Sequence, residues 1–192
     1  MPDDTDDTEA IVEASEGAGG GAAATLRAAA IVADGSGNLD ELLVTVARRQ
    51  QRAGRRVRGL VMTYPRGREG CACEMVLVDV NTDDEYVVSQ PLGADSTACR
   101  GDAQGFARAS EVLRRAATEA PDLVICNRFG RLEAEGGGFR AELLELMAQD
   151  VPLLTAVAPR YLEDWRRFTG GAAAELVAQE SGVEKWVQRS LR

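Results

Sequence analysis

An α/β fold, three-layered with a mainly parallel sheet, is predicted by three features of this sequence. Short apolar runs at Ala28–Val32, Val57–Met62, Leu123–Cys126 and Pro152–Val157 alternate with longer segments of helical periodicity, and such alternation implies a parallel sheet covered on both faces. The run Leu123-Val124-Ile125-Cys126 passes straight into the polar, glycine-containing segment Asn127-Arg128-Phe129-Gly130-Arg131-Leu132-Glu133. Open α/β sheets bind their ligands just past such strand ends. Lastly, Met75–Val80 and Tyr86–Ser89 flank the turn residues Asn81-Thr82-Asp83-Asp84, which predicts an antiparallel hairpin inserted into the βα pattern.

Taken in order, residues 1–24 are acidic and then Gly/Ala-rich. They have little to bury and are expected to be a disordered tail. A single domain is expected over 25–192, with its first strand at Ala28–Val32. Leu39 to Arg52 carries Leu39, Leu42, Leu43, Val46 and Ala47 on one helical face. Asn38 with Glu41 three residues on resembles a capping box, and Gly54 is the expected C-cap. A strand at Val57–Met62 precedes the basic loop Tyr64–Gly70. Gln90–Asp102 reads as a loop, and Ala103–Glu119 as a helix capped by Asp102 and ended by Pro121. After the strand Leu123–Cys126 a glycine-rich loop is expected as far as Gly138. Helices follow at Phe139–Met147 and Tyr161–Phe168 on either side of Pro152–Val157, the last clear strand. Ala172–Leu191 reads as a helix broken at Gly182.

Composition narrows the function. The 192 residues are 45% hydrophobic and 28% charged, ordinary for a globular chain. No apolar run approaches the ~20 residues that span a bilayer, and the acidic start is no signal or transit peptide. A cytoplasmic protein without membrane contact is expected. The net charge of −9 argues against nucleic-acid binding. The arginines gathered between Arg48 and Arg58 read as a solvated helix end. There is no histidine, and Lys185 is the one lysine, which removes much ordinary acid–base chemistry. Four cysteines (Cys71, Cys73, Cys99 and Cys126) are expected as free thiols.

Three candidate sites emerge. The turn Asp34-Gly35-Ser36-Gly37-Asn38 sits between the first strand and the first helix. Backbone N–H groups at Gly35, Ser36, Gly37 and Asn38 would favour a phosphate or another oxyanion; the other reading is a plain βα turn. A phosphate loop proper needs Lys-Ser/Thr where Leu39 and Asp40 stand. The second site is the strand end, where Asn127 would orient a ligand, Arg128 and Arg131 would pair with anionic oxygens, and Glu133 would serve as a catalytic base. The third is a thiol site. Cys73 and Cys99, beside Arg100, would hold a soft metal or an oxyanion if they meet.

Several segments carry a family resemblance: Cys73-Glu74-Met75, Ser89-Gln90-Pro91-Leu92-Gly93, Cys99-Arg100-Gly101-Asp102, and Asn127 to Glu133 running on to Gly138-Phe139-Arg140. Through them the chain resembles a bacterial family, domain of unknown function 2478, related to thermophile-type P-loop nucleoside triphosphatases. The resemblance covers about Leu26 to Val177. It implies a P-loop NTPase-like fold and a link to molybdate uptake and molybdoenzyme genes. Active triphosphatases carry Asp-Glu-x-Gly-x-x-Glu at the strand end. Gly130 and Glu133 match that pattern, while Asn127 and Arg128 replace its acidic pair. With the phosphate-loop lysine also missing, a degenerate nucleotide- or anion-binding accessory protein is expected, with Arg100, Arg128 and Arg131 facing the ligand. Two alternatives stay open: a cysteine-based metal or molybdate binder, and a weak triphosphatase using magnesium and Glu133. A small anion or nucleotide is the expected partner, with a protein partner or a second copy as further options.

Overall fold

The computed structural model describes residues 26–35, 38–63, 75–91 and 99–191, with only the backbone of Pro91, Cys99 and Arg100. The tail, the turn residues Ser36 and Gly37, the basic loop 64–70, Cys71 and Cys73 lie outside the described residues.

The chain alternates as predicted at its start: β1 (Ala28–Val32), α1 (Leu39–Arg52), β2 (Val57–Thr63). The hairpin β3 (Val76–Asp79) and β4 (Glu85–Val87) follows. Next come β5 (Ser89–Pro91), β6 (Cys99–Gly101) and α2 (Ala103–Glu119). The second half holds β7 (Leu123–Phe129), α3 (Arg131–Ala134), α4 (Arg140–Ala148), β8 (Leu153–Val157), α5 (Leu162–Thr169), β9 (Ala174–Val177) and α6 (Glu180–Ser190). A 3-10 turn, Pro159–Tyr161, leads into α5.

The main sheet has seven strands in the order β4-β3-β2-β7-β8-β1-β9. The five strands from β2 to β9 run parallel. The inserted hairpin extends the β2 edge antiparallel. Residues alternate across the sheet as a pleated strand requires. Ala28 and Ala30 of β1 enter the core under α2, α4 and α5, with Leu113, Leu143 and Trp165. Ala29 and Ile31 enter the core under α1 and α6, with Leu43, Val46 and Val187. Every residue of β8, the middle of the five parallel strands, is buried. This three-layer arrangement is an α/β fold of the P-loop NTPase-like type, with the predicted antiparallel insertion.

Four local expectations are corrected. Ala174–Val177 is a strand paired parallel with β1, so Val157 does not end the last strand. Its alternating half-exposed pattern suits a sheet edge. Helix α6 then runs through Gly182 unbroken. Ser89, expected to end the return strand, instead opens β5, which runs into the Gln90–Asp102 loop and pairs antiparallel with β6 inside it. Finally, β7 runs on to Phe129, and the segment after it includes the single helical turn α3.

Candidate functional site

The site lies past the carboxyl ends of β2, β7 and β8. Its centre is a departure from strand regularity. On β7, Cys126 pairs with Thr155 and Phe129 with Val157. Three steps on β7 therefore oppose two on β8. A bulge of this kind re-aims side chains, and here adjacent residues that would point to opposite faces reach one acceptor. Oδ1 of Asp40 accepts from Nδ2 of Asn127 at 2.8 Å and from a guanidinium nitrogen of Arg128 at 2.9 Å. Nε of Arg128 also donates to Oδ1 of Asn127 at 3.3 Å. Asn127 is buried, Asp40 nearly so, and Arg128 is exposed. Both buried polar groups are thus satisfied, which such groups require.

Asp40 is the residue that sequence reasoning missed. It joins the first helix to the β7 end, the two segments that each looked functional alone. Its signal was present: Asp40, Leu43 and Ala47 lie on one helical stripe, and a carboxylate on an apolar stripe needs a buried partner.

Of the turn expected to cradle an anion, Gly35 and Asn38 are described, and Ser36 and Gly37 lie outside the described residues. Oδ1 of Asn38 accepts from the backbone N–H groups of Asp40 and Glu41, and the Asn38 carbonyl accepts from Leu42 N. The cap therefore occupies two of the amide donors at the helix start. Asp40 and Glu41 add negative charge to the same helix turn. Gly35 adopts φ +80°, a conformation open to glycine.

Glu133 is held as a clasp. Its Oε2 accepts from Gly130 N at 2.9 Å and its Oε1 from Phe139 N at 3.1 Å. One buried carboxylate thereby fastens the start of α3 to the start of α4. Gly138 makes room for it: a Cβ there would lie 2.1 Å from Oε1 of Glu133, at φ +57°. Each oxygen of the carboxylate expected as a base thus carries one backbone donor. Arg140 closes the loop by donating to the Glu133 carbonyl while lying over the Phe168 ring.

A cavity of about 640 Å³ opens beside these groups on the α2 and α4 side of the sheet. Met62, Leu77, Phe106, Leu132, Phe139 and Tyr161 supply its apolar wall. Phe106 and Phe139 pack with ring centroids 5.4 Å apart. Asn127, Arg128, Arg131 and Arg160 supply polar groups, and Glu133 is also on the wall. Arg131 lies 4.0 Å from Glu135, a loose surface pair. Arg160 lies over the Tyr161 ring at 5.0 Å and has no carboxylate partner among the described residues. Arg160 and Tyr161 follow the end of β8 as Arg128 follows β7, so the strand-end rule that singled out β7 would have found them too.

The thiol site falls largely outside the described residues: Cys73 entirely, Cys99 and Arg100 in their side chains. Cys126 is buried in the core, and burial pushes its thiol well above the ordinary range, with Glu133 and Glu142 adding to the rise. Among the described residues no group of three or more His, Cys, Asp or Glu side chains is placed to hold a metal ion. The β7 end does not suit magnesium, which asks for oxygen ligands. There the Asp40 carboxylate already takes an amide and a guanidinium. Among the described residues no helix is long and apolar enough to cross a membrane.

The chain is 38% identical over 160 residues to a protein of Bradyrhizobium diazoefficiens named molybdenum import ATP-binding protein ModC 2. That match takes in 83% of this chain but 18% of the relative, so the chain spans less than a fifth of the relative's length. A family model described as "Protein of unknown function (DUF2478)" matches residues 28–186. With nearly all of its α/β domain inside that match, the chain belongs to the DUF2478 family.

Proposed function

We propose that this chain is an accessory protein of molybdate handling that binds an anion, nucleotide or inorganic, at the carboxyl ends of β7 and β8. The observation that carries the reading is the gathering of Arg128, Arg131 and Arg160 around one cavity. Guanidinium groups at strand ends are suited to phosphate-like oxyanions, which they can meet bidentately. The turn from Gly35 to Asn38 enters the reading as the frame that presents Asp40, not as the cradle. Binding without turnover is favoured because Glu133 is occupied as a clasp and Arg128 stands where the acidic pair of active triphosphatases would be. The molybdate context rests on the name of the relative.

The test is a thermal-melt panel comparing ATP and GTP, with and without magnesium, against molybdate, tungstate, phosphate and zinc. A ligand at 100 times its Kd adds ~2.7 kcal/mol, which a melt resolves. An anion-dependent rise in Tm that shrinks in Arg128→Ala and Arg160→Ala is expected. A rise with zinc alone would move the site to the cysteines. Magnesium-dependent phosphate release from ATP, lost in Glu133→Gln, would restore the hydrolase reading.

A further inference from the structure

The cavity's walls say more about its ligand than its arginines do. Its volume of about 640 Å³ falls within the ~300–1,000 Å³ range of pockets that enclose organic ligands. A four-oxygen inorganic anion would contact the cationic side and leave the apolar side facing water. That side is formed by Met75, Phe106, Leu132 and Tyr161, which are only half-buried and line the cavity. Apolar area of this kind is stabilised when an apolar body covers it, and aromatic walls favour a flat one.

The charges give the rest. Arg128 is matched by Asp40, and Glu133 is matched by backbone amides. Arg160 lies over Tyr161, with no carboxylate partner among the described residues. Arg131 has only the loose contact to Glu135. Among the described residues, three guanidiniums against the carboxylates of Asp40 and Glu133 leave a small positive excess, suited to one or two negative charges. A triphosphate carries more charge than this and ordinarily brings magnesium, for which the donor set is wrong.

Building on the anion-binding reading, we infer that the ligand is a flat-ringed organic phosphate with one phosphoryl group, bound without a metal ion. The ring lies against Phe106. The phosphate meets Arg160 and Arg131, with Arg128 at its edge.

The experiment uses the full chain in EDTA and follows tryptophan fluorescence and isothermal titration. Trp165 packs against Phe129 of β7, ring centroids 5.4 Å apart, and reports on this strand end. The ring phosphates are AMP, GMP, pyridoxal phosphate and flavin mononucleotide. Their controls are adenosine, riboflavin, inorganic phosphate and molybdate. At least one ring phosphate is expected to bind tenfold or more tightly than inorganic phosphate and than its own dephosphorylated form. Arg160→Ala should weaken that ligand at least tenfold, and Phe106→Ala should weaken it without changing phosphate binding. If phosphate or molybdate binds as tightly as every ring phosphate and needs Arg160, the ring is refuted while the anion-binding reading stands. If no anion binds, both fall. Binding that needs magnesium and survives both Arg160→Ala and Phe106→Ala would return the site to the helix start and overturn the inference.

Discussion

Asp40 and Arg128 meet between the first turn of α1 and the end of β7, carboxylate oxygen to guanidinium nitrogen at 2.9 Å. In a phosphate-binding loop that helix turn would carry a cation and that strand end an acid. Here the two charges have changed places. The carboxylate side chain is about 10% exposed and the guanidinium 43%, so the pair is only partly screened. Asp40→Ala is expected to cost about 2 kcal/mol in urea denaturation and Arg128→Ala about 1. The double variant should fall short of their sum by about 1 kcal/mol. Full additivity would mean the two side chains do not act on each other in solution.

The Glu133 clasp predicts a structural phenotype. Gly138→Ala places a methyl group 2.1 Å from Oε1 of Glu133 and holds alanine at φ +57°. A loss of about 2–3 kcal/mol is expected from strain and displacement together. Glu133→Gln should cost about 1–2 kcal/mol, because an amide nitrogen would face one of the two backbone donors. Both values can be read from chemical denaturation. A Glu133→Gln variant as stable as the parent would contradict the clasp.

Gly105 fixes how α2 meets the hairpin. A Cβ at this position would lie 2.0 Å from the carbonyl oxygen of Val87. Nearby, Asp102 N donates to the Val88 carbonyl at 2.9 Å. Gly105→Ala must push the helix from the β4 edge, at an expected cost of about 2–3 kcal/mol. Hydrogen exchange should rise first in β3 and β4 while β1 and β8 stay protected.

Alkaline stability should carry the mark of Cys126. Its folded-state thiol titrates well above the ordinary value of 9.0 because burial penalises the thiolate. The folded state therefore holds this proton more tightly than the unfolded chain. The stabilisation is complete below about pH 9 and is lost as pH rises through the folded-state value. Tyr86, raised chiefly by burial, acts in the same direction. Cys126→Ala should flatten the fall in stability above pH 9, leaving the Tyr86 share. An unchanged slope would mean the thiol is accessible to solvent.

The fold was legible where a segment's own pattern decides its structure. The helical stripe of α1, its Asn38 cap and the buried runs of β1, β7 and β8 need no distant information. The elements that went unread depend on neighbours. Ala174–Val177 is rich in residues that favour helix, and only the open edge of β1 makes it a strand. The three-residue strands β5 and β6 are too short to show a period. The site was half legible for the same reason. Position marked the β7 end, and residue type marked Arg128 and Arg131. The role of Asp40 depends on a bulge that no local pattern announces, and the role of Glu133 on two amides that the loop turns toward it.

The strand order has a consequence for how the molecule is made. β8 lies between β1 and β7, yet it follows both in the chain. Asp40 and Asn127 stand 87 residues apart, and the strand that spaces them correctly ends only at Val157. A nascent chain that has emerged only as far as β7 holds both halves of the polar network with no scaffold between them. The network therefore closes late in assembly, after long-range pairing that is slow to form. A truncation ending at residue 150 would keep every residue of the network and be unable to build it.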